Sequence, residues 1–296
     1  MNTPVRSRLT AALTDAGLTG SLCATDIDTG DDITLAADTP VSTASVHKLC
    51  LVATLYREAA AGRLDPSTPL DIPATGRAPG PTGLPVMRDA ARLSLRDLAS
   101  LAIAVSDNAA ADLLWEHLGL DTVNATMAAL GLHRTIAVHN QAALYATMVT
   151  DTGRSGPAAL VDPAAVARLT ALDPARTNRS TPREIAALLT AVWRDDVCEG
   201  PWGEELRAVL GVQAWSHRLA SGFPFDDVRV SGKTGTLPTL RHEAGVVEYP
   251  DGGRYAVAVF TRAASTAATL PAADAAIGRT ARIAVDALRA RAASRT

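Results

Sequence analysis

The apolar positions along this chain change period several times, and each change marks an element. Leu9, Ala12, Leu13 and Ala16 recur at helical spacing, predicting a helix over residues 4–16 that stops at Gly17. Residues 21–27 and 32–36 flank Asp28-Thr29-Gly30-Asp31, a turn-rich join that predicts a hairpin. A helix then runs from Ser45 to Ala61 and ends at Gly62, followed by a Pro/Gly-rich connector over 66–85. Ser94-Leu95-Arg96-Asp97 has the spacing of a capping box, and Leu98, Leu101 and Val105 continue as one apolar stripe. Further helices are predicted over 109–118 and 121–130, each ended by a glycine. Thr181-Pro182-Arg183-Glu184 supplies an N-cap, a first-turn proline and an acidic third position for a helix to Trp193. Strand patterns return at 228–231, 244–249 and 255–261, and a final helix is predicted over 272–292.

This order of elements predicts an α/β (α+β) fold. A five-stranded antiparallel sheet would draw on both chain ends, be covered by the terminal helices, and carry an inserted all-helical region. We expect one catalytic domain over 1–296, with an α/β part (1–60 and 212–296), an all-α part (61–211) and a cleft between them.

Composition excludes several function classes. With 28 basic and 31 acidic residues the net charge is −3, which gives no basic footprint for nucleic acid or an anionic membrane. Arg279, Arg282, Arg289, Arg291 and Arg295 read as cations on a solvated helix face rather than a basic tail. The longest apolar run, 98–105, is far short of the ~20 residues that span a bilayer. The first residues carry no apolar signal region, so a native start at Met1 implies the cytoplasm, and export implies a leader already removed. Cys23, Cys50 and Cys198 are odd in number and two lie in apolar elements, so free thiols are expected. The six histidines show no zinc spacing, and neither metal nor cofactor is expected. A small-molecule substrate and a monomer complete the expectation.

Three short motifs carry the chemistry. Ser45-Val46-His47-Lys48 opens an apolar helix, so Ser45 and Lys48 share one face, a turn apart. A serine hydroxyl becomes a nucleophile when a base takes its proton, and lysine is a base only when neutral. Burial, the positive helix N-terminus and a second ammonium all depress a lysine pKa, and Lys233 could be that ammonium. Taken alone, the motif reads better as a capping serine beside a solvated lysine, and only the other two motifs reverse that. Ser106-Asp107-Asn108 falls between two helices, where alternate residues can face one cleft and Asp107 can serve as the N-cap. Lys233-Thr234-Gly235-Thr236 follows an edge-strand pattern. Its glycine leaves room for a ligand along the strand, and its hydroxyls and ammonium suit a carboxylate.

Together, in this order, the three motifs resemble the active-site set of class A serine β-lactamases and penicillin-binding proteins. The resemblance covers most of the chain. It implies Ser45 as nucleophile, Lys48 as base, and Ser106 as relay of a proton to the leaving nitrogen. It also implies Asn108 as holder of the substrate's side-chain amide, and the N–H groups of Ser45 and Thr236 as the oxyanion hole. Lys233, Thr234 and Gly235 would line the carboxylate subsite, with Arg241 on the next strand as a further carboxylate anchor. The cystine common in the family is absent, because Cys50 has no partner near Ala99.

One departure bears on the outcome of the reaction. From Leu130-Gly131-Leu132, with Thr135 at the family's threonine, His139-Asn140-Gln141-Ala142-Ala143-Leu144-Tyr145 replaces the run Arg-Trp-Glu-x-x-Leu-Asn. Gln141 thus takes the place of the glutamate that activates the hydrolytic water, and Tyr145 that of an asparagine holding it. No glutamate lies between Glu116 and Glu184, so no shift of register recovers one. A carboxamide is not a usable base near neutral pH. The segment from Gln141 to Asp173, which includes Pro157 and Pro163, is longer than the usual Ω-loop and predicts a remodelled cleft wall.

The expectation is a serine hydrolase acylated at Ser45 by β-lactams or related amides and esters, with slow deacylation. The alternatives are a peptidase acting on peptidoglycan stems, a cytoplasmic esterase or amidase of secondary metabolism, and a non-enzymatic β-lactam sensor or sink.

Overall fold

The computed structural model describes residues 3–156 and 160–294, so Pro157 and Arg295 lie outside the described residues. Helix α1 (Thr3–Thr14) leads into the hairpin of β1 (Leu18–Asp26) and β2 (Asp32–Leu35). The short β3 (Val41–Ser42) and a 3-10 turn over Ala44–His47 precede α2 (Lys48–Ala60). Next come β4 (Pro69–Ile72), β5 (Ala91–Ser94), α3 (Leu95–Ala104), α4 (Asn108–Leu118) and α5 (Leu120–Ala129). Helices α6 (Gln141–Thr152) and α7 (Pro163–Val166) are followed by β6 (Arg179–Ser180), α8 (Pro182–Trp193) and α9 (Pro201–Leu210). The chain closes with β7 (Arg229–Leu237), β8 (Leu240–Glu248), β9 (Arg254–Ala263) and α10 (Pro271–Ala293).

The main sheet is five-stranded and antiparallel throughout, in the order β2-β1-β9-β8-β7. The first two strands come from the N-terminal part and the other three from the C-terminal part, so β7 is left as an edge. Residues Leu240 to Val247 of β8 are all buried, as expected where helices cover both faces. On one face Leu22, Ile33, Val257 and Val259 pack with Leu9, Ile277 and Val285 of the terminal helices. On the other, Ala244, Val246, Ala258 and Phe260 share a core with α2, α3, α4 and α8. Helix α2 is buried on all sides, with ten of its residues in the interior, because it lies between the sheet and the helical region.

Local signals explain most boundaries. Ser94 accepts from the Asp97 N–H while Asp97 reaches back to the Ser94 N–H, completing the capping box of α3. Thr181 caps α8 by accepting from the Glu184 N–H, with Pro182 in the first turn. The final helix carries its cations in pairs: Arg282 bonds Asp286, and Arg289 bonds Asp251.

Four features differ from expectation. Ser45 lies on the 3-10 turn, and the α-helix begins only at Lys48. Residues 61–211 are not wholly helical, since β4 pairs with β5, and β6 pairs with β3 beside the nucleophile turn. Helix α9 adds to the expected elements, bracketed by Pro201 at its start and Gly211 at its end. The segment expected as a long Ω-loop begins with helix α6, capped by Asn140 and ended by Gly153 in the left-handed conformation (φ 67°). Leu144 and Met148 of α6 join Val166, Leu169 and Ala171 in a small separate core, against which Leu237 packs at the end of β7. The described part of this segment is therefore packed against the end of the strand that carries Lys233.

Candidate active site

The three motifs converge at the edge strand. Gly235 explains the contact: a Cβ there would lie 2.9 Å from Thr43 O and 2.9 Å from Val46 Cγ2, so only glycine lets β7 lie against the Ser45 turn. The turn itself is strained, with Ala44 at φ 48°. Ser106 is a second non-glycine residue in the left-handed region, at φ 59°. Such conformations cost on the order of 1–3 kcal/mol and persist where the surroundings impose them. Behind the turn, buried His242 fixes the approach segment, its Nε2 donating to Ser42 O (3.1 Å) and its Nδ1 accepting from the Thr261 N–H (3.1 Å). Those partners require the neutral ring, and burial pushes its pKa down to about 3.

Lys48 is completely buried. Its Nζ donates to Ser106 O (2.7 Å), Ser106 Oγ (3.3 Å), Asp107 O (3.2 Å) and Asn108 Oδ1 (2.9 Å). The lysine thereby joins the first motif to the second. Burial pushes its pKa down to about 7, against the opposing charges of Asp107 and Asp112. Because Asn108 Oδ1 accepts from Lys48, its Nδ2 turns the other way and donates to Pro79 O at 2.9 Å. Asp107 is the N-cap of α4, as expected, accepting from the Ala110 N–H (3.0 Å) and the Leu84 N–H (2.6 Å).

On β7, Lys233 is completely buried and donates to Thr234 O (2.8 Å). Burial and the nearby Lys48 ammonium both hold its pKa well below the usual lysine range. The Thr234 N–H bonds the Gln213 side chain (2.6 Å) and not a neighbouring strand. Alternation along the edge strand then turns the Thr236 N–H outward as well, two residues on.

Arg241 is brought next to Thr236 in the strand register, but its guanidinium is committed elsewhere. It donates to the carbonyls of Leu237, Leu240, Ala267 and Ala268 at 2.7–3.2 Å and is 3% exposed. A guanidinium with four carbonyl partners has little left for a substrate carboxylate. Arg218, not Arg241, reaches Thr236, donating to Thr236 Oγ1 (2.9 Å), Gly235 O (3.0 Å) and His242 O (3.0 Å). Its charge is balanced by Asp274, 2.7 Å away in the first turn of α10. Nothing local in the sequence marks Arg218, because the partners that make it notable come from three other elements.

Gln141 is the first residue of α6 and is 8% exposed. Its N–H donates to Asp112 Oδ1 (2.6 Å), and the Ala142 N–H donates to Asp112 Oδ2 (2.8 Å). Asp112 lies one turn beyond Asn108 on α4, so the helix that carries the second motif and α6 are directly joined. Among the described residues no cluster of His, Cys, Asp and Glu could hold a metal, and no helix is long and apolar enough to cross a membrane.

The sequence pattern of the β-lactamase enzyme family matches residues 4–288. The chain belongs to that family. Its fold is that of a serine β-lactamase-type hydrolase, and the family's substrates are small β-lactams. It is 35% identical to a protein of Streptomyces cacaoi described as the β-lactamase regulatory protein BlaB, over 94% of this chain and 95% of that one. Among solved structures, a β-lactamase from Sphaerobacter thermophilus DSM 20745 aligns at 25% identity and TM-score 0.78, covering 98% of this chain and 99% of that one. A point mutant of a reconstructed class A β-lactamase, the last common ancestor of Gram-negative bacteria, shares the fold at 22% identity and TM-score 0.76, covering 96% and 98%.

Proposed function

We propose that Ser45 is acylated by β-lactams and that the acyl-enzyme then persists. The observation that carries this reading is the position of Lys48. It is a buried lysine with a lowered pKa, three residues beyond Ser45 and tied to Ser106 and Asn108, in a chain of the β-lactamase enzyme family. In this reading Lys48 takes the Ser45 proton as the hydroxyl attacks the lactam carbonyl, and Ser106 passes it to the departing nitrogen. The N–H groups of Ser45 and Thr236 receive the developing oxyanion. Lys233, Thr234 and Thr236, backed by Arg218, hold the substrate carboxylate, and Asn108 holds its side-chain amide.

Hydrolysis of the ester needs a base for water on the wall side of the cleft. We assign that place to Gln141, whose amide cannot accept a proton near neutral pH. Peptide mapping after incubation with benzylpenicillin tests the acylation of Ser45: the adduct falls on Ser45, and a label elsewhere or none would overturn that reading.

The resemblance to a Streptomyces protein described as a β-lactamase regulatory protein favours a second reading, in which the long-lived acyl-enzyme is a signal rather than a catalytic intermediate. Both readings require acylation and differ only in the use made of the acylated protein.

A further inference from the structure

Glu243 stands behind the Lys233-Thr234-Gly235 strand and has no part in the acylation scheme. It is completely buried on β8, directly across from Thr234. Both of its oxygens are held: Oε1 accepts from Gln213 Nε2 at 2.6 Å, and Oε2 accepts from the Leu219 N–H at 2.7 Å. A carboxylate only accepts, so it turns the amino end of the Gln213 side chain toward itself. The amide oxygen is then left to face the strand, where it accepts from the Thr234 N–H at 2.6 Å. Thr234 O, at the other end of the residue, accepts from Lys233 Nζ at 2.8 Å.

The consequence lies in the edge. An edge strand presents outward N–H and C=O groups that pair with whatever approaches. Here Gln213 takes one outward N–H and leaves the next, on Thr236, for a ligand. Fixing the Thr234 peptides also fixes the residues on either side of them, which are Lys233 and the Gly235-Thr236 step. A neighbouring apolar pair would fill the same space without setting any orientation.

We propose that Glu243 is a positioning residue for acylation, acting through Gln213 to hold the Thr234 N–H so that Lys233 and the Thr236 N–H face the substrate. The proposal rests on the reading in which Ser45 is acylated, and its direction of bonding is specific. Carboxylate, amide and strand N–H form a one-way relay, Leu219 and Gln213 donating to Glu243, and Thr234 donating to Gln213.

A swap of the two groups tests it. Glu243→Gln places an amide against an amide and a backbone N–H, and Gln213→Glu places two carboxylates face to face. Each single change disturbs the relay. The double change Glu243→Gln with Gln213→Glu restores it in mirror form, since a carboxylate at 213 accepts from both Thr234 and the amide now at 243, whose oxygen accepts from Leu219. Each single variant is expected to lose at least ~10-fold in the rate of labelling by a fluorescent penicillin, a typical effect of misplacing reacting groups, and the swap to return within about 3-fold of the native rate. Hydrogen exchange at the Thr234 amide, read without any substrate, should quicken in Gln213→Ala, a change at a half-exposed loop residue, and return in the swap. Native labelling rates in both single variants and Gln213→Ala, or unchanged Thr234 exchange in Gln213→Ala, would overturn the proposal. So would a swap that folds with a native melting profile but labels no faster than the slower single variant. Failure of the native protein to label would instead remove the acylation reading, while the exchange result would still decide the relay.

Discussion

The Asp112 carboxylate accepts the backbone N–H of Gln141 at 2.6 Å and that of Ala142 at 2.8 Å. A side chain on α4, one turn from Asn108, therefore caps α6, the helix that Gln141 opens. Both carboxylate oxygens are used in the cap, and a carboxylate at a helix N-terminus is favoured there by the helix dipole. The consequence for chemistry is that Gln141 is anchored at its backbone while its side chain offers only an amide.

Restoring a carboxylate at this position should restore turnover. Gln141→Glu is expected to speed loss of the acyl group, measured by the decay of a benzylpenicillin adduct. Tyr145 lies one helical turn further along α6, its hydroxyl accepting from the Gly156 N–H at 3.4 Å. Gln141→Glu combined with Tyr145→Asn should therefore act more strongly than the single change. Equal adduct lifetimes in all three proteins would show that the wall does not control deacylation.

Nucleophile and base can be separated. Ser45→Ala should abolish labelling by a fluorescent penicillin. Lys48→Ala should slow it by roughly 10²-fold or more, the usual loss on removing a general base. Retained labelling in Ser45→Ala would place the nucleophile elsewhere.

The lysine also sets a pH profile. With the Lys48 pKa at about 7, the neutral amine that serves as base accumulates as pH rises through that value. The labelling rate should climb with pH and level off above about 7. A profile flat from pH 5 to 9 would contradict the base assignment.

Arg218 should matter to substrates that carry a carboxylate. It acts through Thr236, whose Oγ1 accepts from it at 2.9 Å, its other donors being held by Asp274, Gly235 O and His242 O; Arg218→Ala should therefore slow labelling by a penicillin free acid roughly 10-fold, the effect of a displaced Thr236. The corresponding ester should react slowly with the native protein and lose little further in the variant. Equal reactivity of acid and ester would point to a neutral natural substrate.

Acid should loosen the sheet behind the nucleophile turn. The unfolded His242 ring takes up a proton below its ordinary value of 6.5, whereas the folded ring stays neutral down to about 3. Its contribution to stability is therefore complete above pH 6.5 and is lost as pH falls through that window. Glu243, raised from 4.5 to about 7, acts in the opposite sense, its contribution lost as pH rises from 4.5 to 7. A comparison with His242→Gln isolates the histidine, because the amide can still donate to Ser42 O and accept from Thr261. The native protein should lose melting temperature relative to the variant between pH 6.5 and 4.5, and parallel curves would refute the assignment.

The parts of this fold that are legible in sequence are those whose signals are local. The capping residues of α3 and α8 and the glycine-bounded turns lie within a few residues of what they determine. The three motifs are legible for the same reason, being contiguous. The hidden parts depend on distant partners. The start of β8 reads as Arg-His-Glu, a polar run that looks unlike a buried strand, yet all three side chains are buried because each finds hydrogen-bond partners on other elements. Arg218 is defined by Thr236 and Asp274, neither of them near it in sequence. Helix α6 does carry local signals, Asn140 and Gly153 at its ends and Leu144 and Met148 four apart, but alignment with a loop-bearing family obscures them.

The persistence of the acyl group is tested most directly by intact-mass spectrometry of the native protein mixed with excess benzylpenicillin and monitored for hours. A stable mass increase of one penicillin on Ser45, with a burst of drug consumption close to one equivalent and little afterwards, is the predicted result. Rapid consumption of many equivalents with no accumulated adduct would contradict it, and would mean that another group in the cleft activates water in place of the amide at Gln141.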